Sequence, residues 1–225
     1  HAPSATPDGK GGIVCIFNIN VGYPTQGWDQ IMSLPRTLTL TGKDDLLMEP
    51  AGDYESLRYD HQQKGPMTIP VNKEIVLDDI KGNAMEIDLE IDPCKSPLVE
   101  IDVLRSEGRE EYTRIAFAKQ RGFQNWDIFK SWDKWLDTCD SLITLDTSYS
   151  SELPDAISKI ETAPLFLDQD ETLKLKIFID KSVVEVFANG KQCVALRVYP
   201  GRKDSVGVSL RAQGSEAKLL SLDAW

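Results

Sequence analysis

Hydrophobic and polar residues alternate with a period of two through most of this chain. In "MEIDLEID" (85–92), Met85, Ile87, Leu89 and Ile91 fall to one side, and Glu86, Asp88, Glu90 and Asp92 fall to the other. The same rhythm returns in "LVEIDVL" (98–104), "YTRIAFA" (112–118), "SLITLDTS" (141–148) and "TLKLKIFID" (172–180). It continues in "SVVEVF" (182–187), "CVALRVYP" (193–200), "VGVSLRA" (206–212) and "KLLSLDAW" (218–225). Successive side chains of an extended chain point to opposite faces, so these segments predict strands with one buried and one wetted face. Helical periodicity is nearly absent. Many short strands separated by polar turns predict an all-β fold, an antiparallel β-sandwich.

The first part of the chain has a different texture. Four shorter strand candidates crowd into it: "HAPSA", "GIVCIFNIN" (12–20), "IMSLPRTLTL" (31–40) and "LLMEPA" (46–51). Four strands in about 50 residues match the size of one propeller blade, and a single blade cannot bury both of its faces. The expectation is a four-stranded propeller-blade-like segment over 1–58, a connector over 59–70 and a sandwich over 71–225. No second copy of the blade pattern is found.

Composition narrows the function classes. The chain has 225 residues, a hydrophobic content of 41% and a net charge of −11. That charge repels phosphate backbones and anionic lipid, so nucleic acid and membrane surfaces are excluded as expected partners. No run approaches the ~20 apolar residues that span a bilayer, and "HAPSATPDGKGG" lacks the regions of a signal peptide, although one could be removed from a longer precursor. Cys15, Cys94, Cys139 and Cys193 lack the spacing of a zinc site or a disulfide framework, read as small apolar residues, and leave the compartment undecided, extracellular or cytoplasmic. With His1 and His61 the only histidines, a histidine-based triad or metal centre is excluded. Phosphate-cradling motifs are absent, and no cofactor or metal is expected.

Three groups of residues carry candidate chemistry. Asp180 and Glu185 lie five positions apart, whereas a retaining glycosidase needs two carboxyl groups ~5 Å apart. On one continuous strand that offset would place them on opposite faces and ~16 Å apart. Asp180-Lys181-Ser182 reads instead as a turn and Asn189-Gly190 as a tight hairpin, giving a three-stranded meander whose acids shape turns and surface. The acidic side of "MEIDLEID", joined by Glu100 and Asp102 on the next strand, offers oxygen ligands for calcium; the alternation itself predicts a solvated face, with Lys174 and Lys176 as partners if they lie opposite. The cluster "GFQNWDIFKSWDKW" (122–135) carries Trp126, Trp132 and Trp135. Such rings serve as a surface platform for sugar, or cover an edge of the core under a long loop.

Two blocks carry a family likeness. "IFIDKSVVEVFANGKQCVALRVYP" followed by "SVGVSLRAQGSEAKLLSLDAW" resembles the C-terminal β-sandwich of glycoside hydrolase family 32, the invertases, inulinases and levanases. "GWDQIMSLPRTLTL" and "EPAGDYESLR" resemble the fifth propeller blade of those enzymes and its exit toward the sandwich. The resemblance implies the C-terminal part of a retaining β-fructofuranosidase, acting on fructose-containing oligosaccharide, whose catalytic carboxylates sit in motifs N-D-P-N/G, R-D-P and E-C. None of the three occurs here, and the lone Asp92-Pro93 matches neither Asp motif. No catalytic residue is therefore expected on this chain, and its implied partner is the missing N-terminal propeller portion. Left alone, unpaired blade edges favour association, a homo-oligomer included. Within the blade, Phe17 falls where the family places a pocket tryptophan, and Asn18 or Asn20 faces the sugar; Phe17 reads equally as blade core. Arg36 reads as structural, tying neighbouring strands. The runner-up function is a non-enzymatic carbohydrate-binding or oligomer-forming sandwich.

Overall fold

A computed structural model of the chain describes residues 2–20, 22–42, 45–168 and 170–225. Its first strands are β1 (Ser4–Pro7), β2 (Ile13–Ile16), β3 (Asn18–Ile19), β4 (Ile31–Met32), β5 (Arg36–Leu40) and β6 (Leu46–Pro50). They form a four-stranded antiparallel sheet in the order β1-β2-β5-β6, with β3 and β4 paired as a short ribbon beyond it. Two expected long strands are each split. "GIVCIFNIN" breaks at Phe17 and "IMSLPRTLTL" breaks before Pro35, which has no N–H to give a ladder. The break is closed by Ser33: its N–H donates to Phe17 O at 2.8 Å, and its Oγ accepts Phe17 N–H at 3.0 Å.

The remaining strands are β7 (Gln62–Lys64), β8 (Met67–Ile69), β9 (Glu74–Lys81), β10 (Ala84–Asp92), β11 (Leu98–Arg105), β12 (Thr113–Ala118) and β13 (Ser141–Asp146). They continue with β14 (Ile160–Leu165), β15 (Leu173–Asp180), β16 (Val183–Ala188), β17 (Gln192–Arg197), β18 (Gly207–Gln213) and β19 (Ala217–Ala224). One sheet runs β17-β16-β15-β10-β19-β7, with β8 also on β19; the other runs β14-β13-β12-β11-β18-β9. Between them lies a core of Ile87, Leu89, Ile91, Leu175, Ile177, Val184 and Val186 from the first sheet. Val99, Ile101, Val103, Ile115, Phe117, Ile143, Leu145 and Leu210 face them from the second. The stretch read as a connector is woven into the sandwich, because Gln62–Lys64 and Met67–Ile69 pair antiparallel with β19.

The meander forms as its turn residues demand. Lys181 takes φ +51° between β15 and β16, and Asn189 and Gly190 take φ +51° and +64° between β16 and β17. Asn189 is fastened further: its Oδ1 accepts Lys174 N–H at 3.0 Å and its Nδ2 donates to Thr172 O at 2.8 Å. Lys176 stands opposite Asp88 and Lys174 opposite Glu90 on β15 and β10, so charge alternates across the ladder. Two expectations about acidic residues are corrected. Glu100 and Asp102 do not join that face, because β11 crosses to the other sheet, and both are buried in ion pairs there with Arg114 and Arg109. Glu86 is buried rather than solvated, because it receives Arg58 from the segment leaving the blade.

Candidate functional site

The blade and the sandwich meet on the outer face of the first sheet, and charged side chains make the joint. Glu185, read from the sequence as a surface acid, is 2% exposed. Its Oε1 accepts Leu34 N–H at 2.6 Å and its Oε2 accepts Arg36 Nη2 at 2.9 Å. Arg36 is 7% exposed, with its guanidinium 5.1 Å from the Phe17 ring and 5.5 Å from the Phe187 ring. Both Glu185 oxygens are satisfied, which fixes the geometry of the strands that supply the donors, while Arg36 Nε is buried without a hydrogen-bond partner. Burial pushes the Glu185 carboxyl above the usual glutamate range, and Leu34 N–H and Arg36 partly offset that push. Met48 N–H also donates to Gly190 O at 2.7 Å, so backbone as well as side chains crosses the joint.

A second clamp lies where the chain leaves the blade. Arg58 grips Glu86 with two parallel bonds, Nε to Oε2 at 3.0 Å and Nη2 to Oε1 at 2.7 Å, and lies 4.1 Å over the Trp225 ring. The Glu86 side-chain bond raises the affinity of Arg58 for its proton further. Arg197 lies 4.8 Å over Trp28 and 5.0 Å over Tyr199, and Tyr199 packs on Tyr23. The sequence did hold a signal for the buried acid. A period of two puts Glu185 on the same face as Val183 and Phe187, and a face with two large apolar residues is a covered face.

Phe17, Asn18 and Asn20 line one cleft of about 370 Å³, completed by Arg36 and by Lys159, Glu161, Thr162 and Arg197 of the sandwich. Phe17 lies beneath the Arg36 guanidinium, and Asn18 Nδ2 donates to Gln30 Oε1 across the β3–β4 ribbon. The third candidate group also comes together. Trp132 stacks on Trp135 at 5.2 Å and 7°, Trp126 stands edge-on to Trp135 at 78°, and Phe129 fills the space between the rings. Asp180 and Glu185 do not converge: Asp180 is exposed at the end of β15, and Glu185 is locked into the joint.

Residues 53–225 match the model for "Glycosyl hydrolases family 32 C terminal". The chain belongs to glycosyl hydrolase family 32. Among curated relatives, it is 27% identical to fructan 6-exohydrolase of Beta vulgaris over 89% of this chain and 36% of that protein. It is 27% identical to levanase of Bacillus subtilis over 88% of this chain and 27% of that protein. Among solved structures, fructan 1-exohydrolase IIa from Cichorium intybus superposes with a TM-score of 0.81 at 17% identity, covering 100% of this chain and 47% of that one. The chain thus spans about a third of the length of those curated relatives. In this chain the joint is where the sandwich holds the N-terminal four-stranded sheet, and Glu185 and Glu86 serve it.

Proposed function

We propose that this chain is the C-terminal portion of a retaining hydrolase of β-fructofuranosides, sucrose or fructans, and that it completes a propeller and braces it with the sandwich. The observation that carries the reading is the blade-like sheet. It is clamped to the sandwich through Arg36–Glu185, yet β1 is exposed along its whole length, and Ile13, Met32, Leu40 and Leu46 are exposed apolar residues. A sheet left open in this way fits a further blade against it. The four-bladed N-terminal portion of the same enzyme is the proposed partner. Pairing of two copies of this chain has no observation of its own to carry it.

Retaining hydrolysis uses one carboxylate to attack and a second carboxyl group to protonate the leaving oxygen. Both belong to the upstream blades in this reading, since the three family motifs are absent from this sequence. What this chain supplies to the sugar is the Phe17–Asn20 rim of the blade: an aromatic ring held by Arg36 and amides suited to hydroxyl groups. The test is intact mass of the protein from its source, under native and denaturing conditions, beside a sucrose-hydrolysis assay. The proposal expects active material to carry roughly 35 kDa more than this chain, as one polypeptide or as a second chain, the mass of four blades. Active material with this chain's own mass alone would overturn it.

A further inference from the structure

The excursion between β12 and β13 is not used by the joint or the blade. It leaves the sandwich at Gly122 and returns at Asp140, and its base is a tied hairpin. Gly122 N–H donates to Asp140 O at 2.7 Å, Asp140 N–H to Phe123 O at 2.9 Å and Asn125 N–H to Thr138 O at 2.8 Å. The Gln124 side chain adds a bond from Nε2 to Thr138 Oγ1 at 2.8 Å. Above this base, Phe129 and Trp135 pack as a small core, while Trp132 stays 72% and Trp126 64% exposed. Trp135 covers one face of Trp132, so the outer indole face is the open one. Trp126 lies at roughly a right angle to it, on the other flank of Trp135.

We infer that this excursion is a carbohydrate-binding site, with the outer face of Trp132 stacking on a sugar ring of a neutral oligosaccharide and Trp135 backing it from behind. Two features select that ligand. Asp127, Lys130, Asp133, Lys134 and Asp137 are interspersed with the rings along the excursion and are all exposed, which supplies hydroxyl-binding groups of both signs without the one-signed field that an ionic ligand would need. Protein interfaces are depleted of Asp and Lys at their centres, whereas the exposed rings of Trp126 and Trp132 each have an exposed aspartate next in the chain, Asp127 and Asp133. The rings are also positioned before any ligand arrives, because the hairpin base and their mutual packing hold them, so little ordering is lost on binding. The site stands on the loop geometry; choosing fructan as its ligand rests on the function proposed above.

Affinity electrophoresis of the 225-residue chain in gels containing levan, inulin or dextran tests the site. Retardation by a fructan is expected, weakened at least about fivefold by Trp132→Ala, less by Trp132→Phe, and unchanged by Leu136→Ala on the same excursion. Thermal midpoints of the variants serve as the folding control. Retardation by dextran alone, lost in Trp132→Ala, would sustain the site while overturning the fructan assignment. No retardation in any gel, or equal retardation of wild type and Trp132→Ala, would overturn the site. So would Trp132→Ala converting a dimer to a monomer with sugar binding unchanged.

Discussion

Replacing Glu185 with alanine removes the carboxylate on which the blade–sandwich joint turns. Its two oxygens accept Leu34 N–H at 2.6 Å and Arg36 Nη2 at 2.9 Å, and without them the Arg36 guanidinium is left between Phe17 and Phe187 with its charge unpaired. Breaking a buried pair from one side costs ~3–5 kcal/mol, and an orphaned buried amide roughly 1–3 kcal/mol. The same carboxylate serves both donors, so the costs overlap, and about 4 kcal/mol is the expected loss. That is a large share of the ~5–15 kcal/mol that holds a domain folded. Arg36→Met is expected to lose a similar amount, because it strands Glu185 instead. The double variant Arg36→Met/Glu185→Ala should lose about 2 kcal/mol, well under the sum of the two, since removing both charges together spares the desolvation cost and leaves only the Leu34 amide unpaired. Urea titration of the four proteins at neutral pH closes the cycle. Single-variant losses below about 1 kcal/mol, or a double variant losing the sum of the two, would refute the clamp. Burial is the largest influence on the Glu185 carboxyl and raises its pKa above the ordinary 4.5. The folded chain then binds the extra proton, so this residue's contribution is fullest below 4.5 and falls as pH rises through the raised value. Glu185→Gln should remove that slope.

Two further predictions concern the sandwich. Glu74 is held at about 2 by the two bonds from Arg105, with the Ser209 hydroxyl assisting. Its folded pKa is depressed, so it stabilises above the ordinary 4.5 and that contribution is lost as pH falls toward about 2. The loss is on the order of 2–3 kcal/mol, discounted for partial exposure, and Glu74→Gln should flatten this acid limb in urea titrations at stepped pH. A variant whose acid limb runs parallel to wild type would contradict the pairing. Asn189→Ala places alanine at φ +51° and removes the acceptor for Lys174 N–H, for an expected loss of about 2 kcal/mol by thermal denaturation. An unchanged midpoint would mean that the hairpin does not depend on this residue.

How much of this was legible in the sequence follows from what alternation can report. It found β10, β15 and the β16–β17 hairpin, whose core-facing residues recur at every second position and whose turn is Asn189-Gly190. It missed β7, β8, β9 and β14. The first two are three residues each, too short to show a period, and β14 carries Pro164 and is exposed along most of its length. In β9 the buried Leu77 and Ile80 are three apart, because pairing with β18 shifts register there. Alternation also says nothing about which sheet a strand joins, which is why Glu100 and Asp102 were grouped with the wrong face. The partners of the joint were beyond reach for another reason: Arg36 and Glu185 are 149 positions apart, and only the packed blade brings them together. The aromatic excursion was recognisable by composition, but the arrangement of its rings was not.

The function proposed above makes this chain one part of a fructosidase whose attacking and protonating carboxylates lie elsewhere. Its most direct test is the initial rate of fructose release from sucrose, levan and inulin by this chain alone, and by the same chain co-produced with a four-bladed family 32 propeller portion that ends where it begins. The account predicts no release by the chain alone, and release by the pair that is lost when Glu185→Ala breaks the joint. Release by the chain alone would contradict it, and so would a pair that assembles and stays inactive on all three sugars.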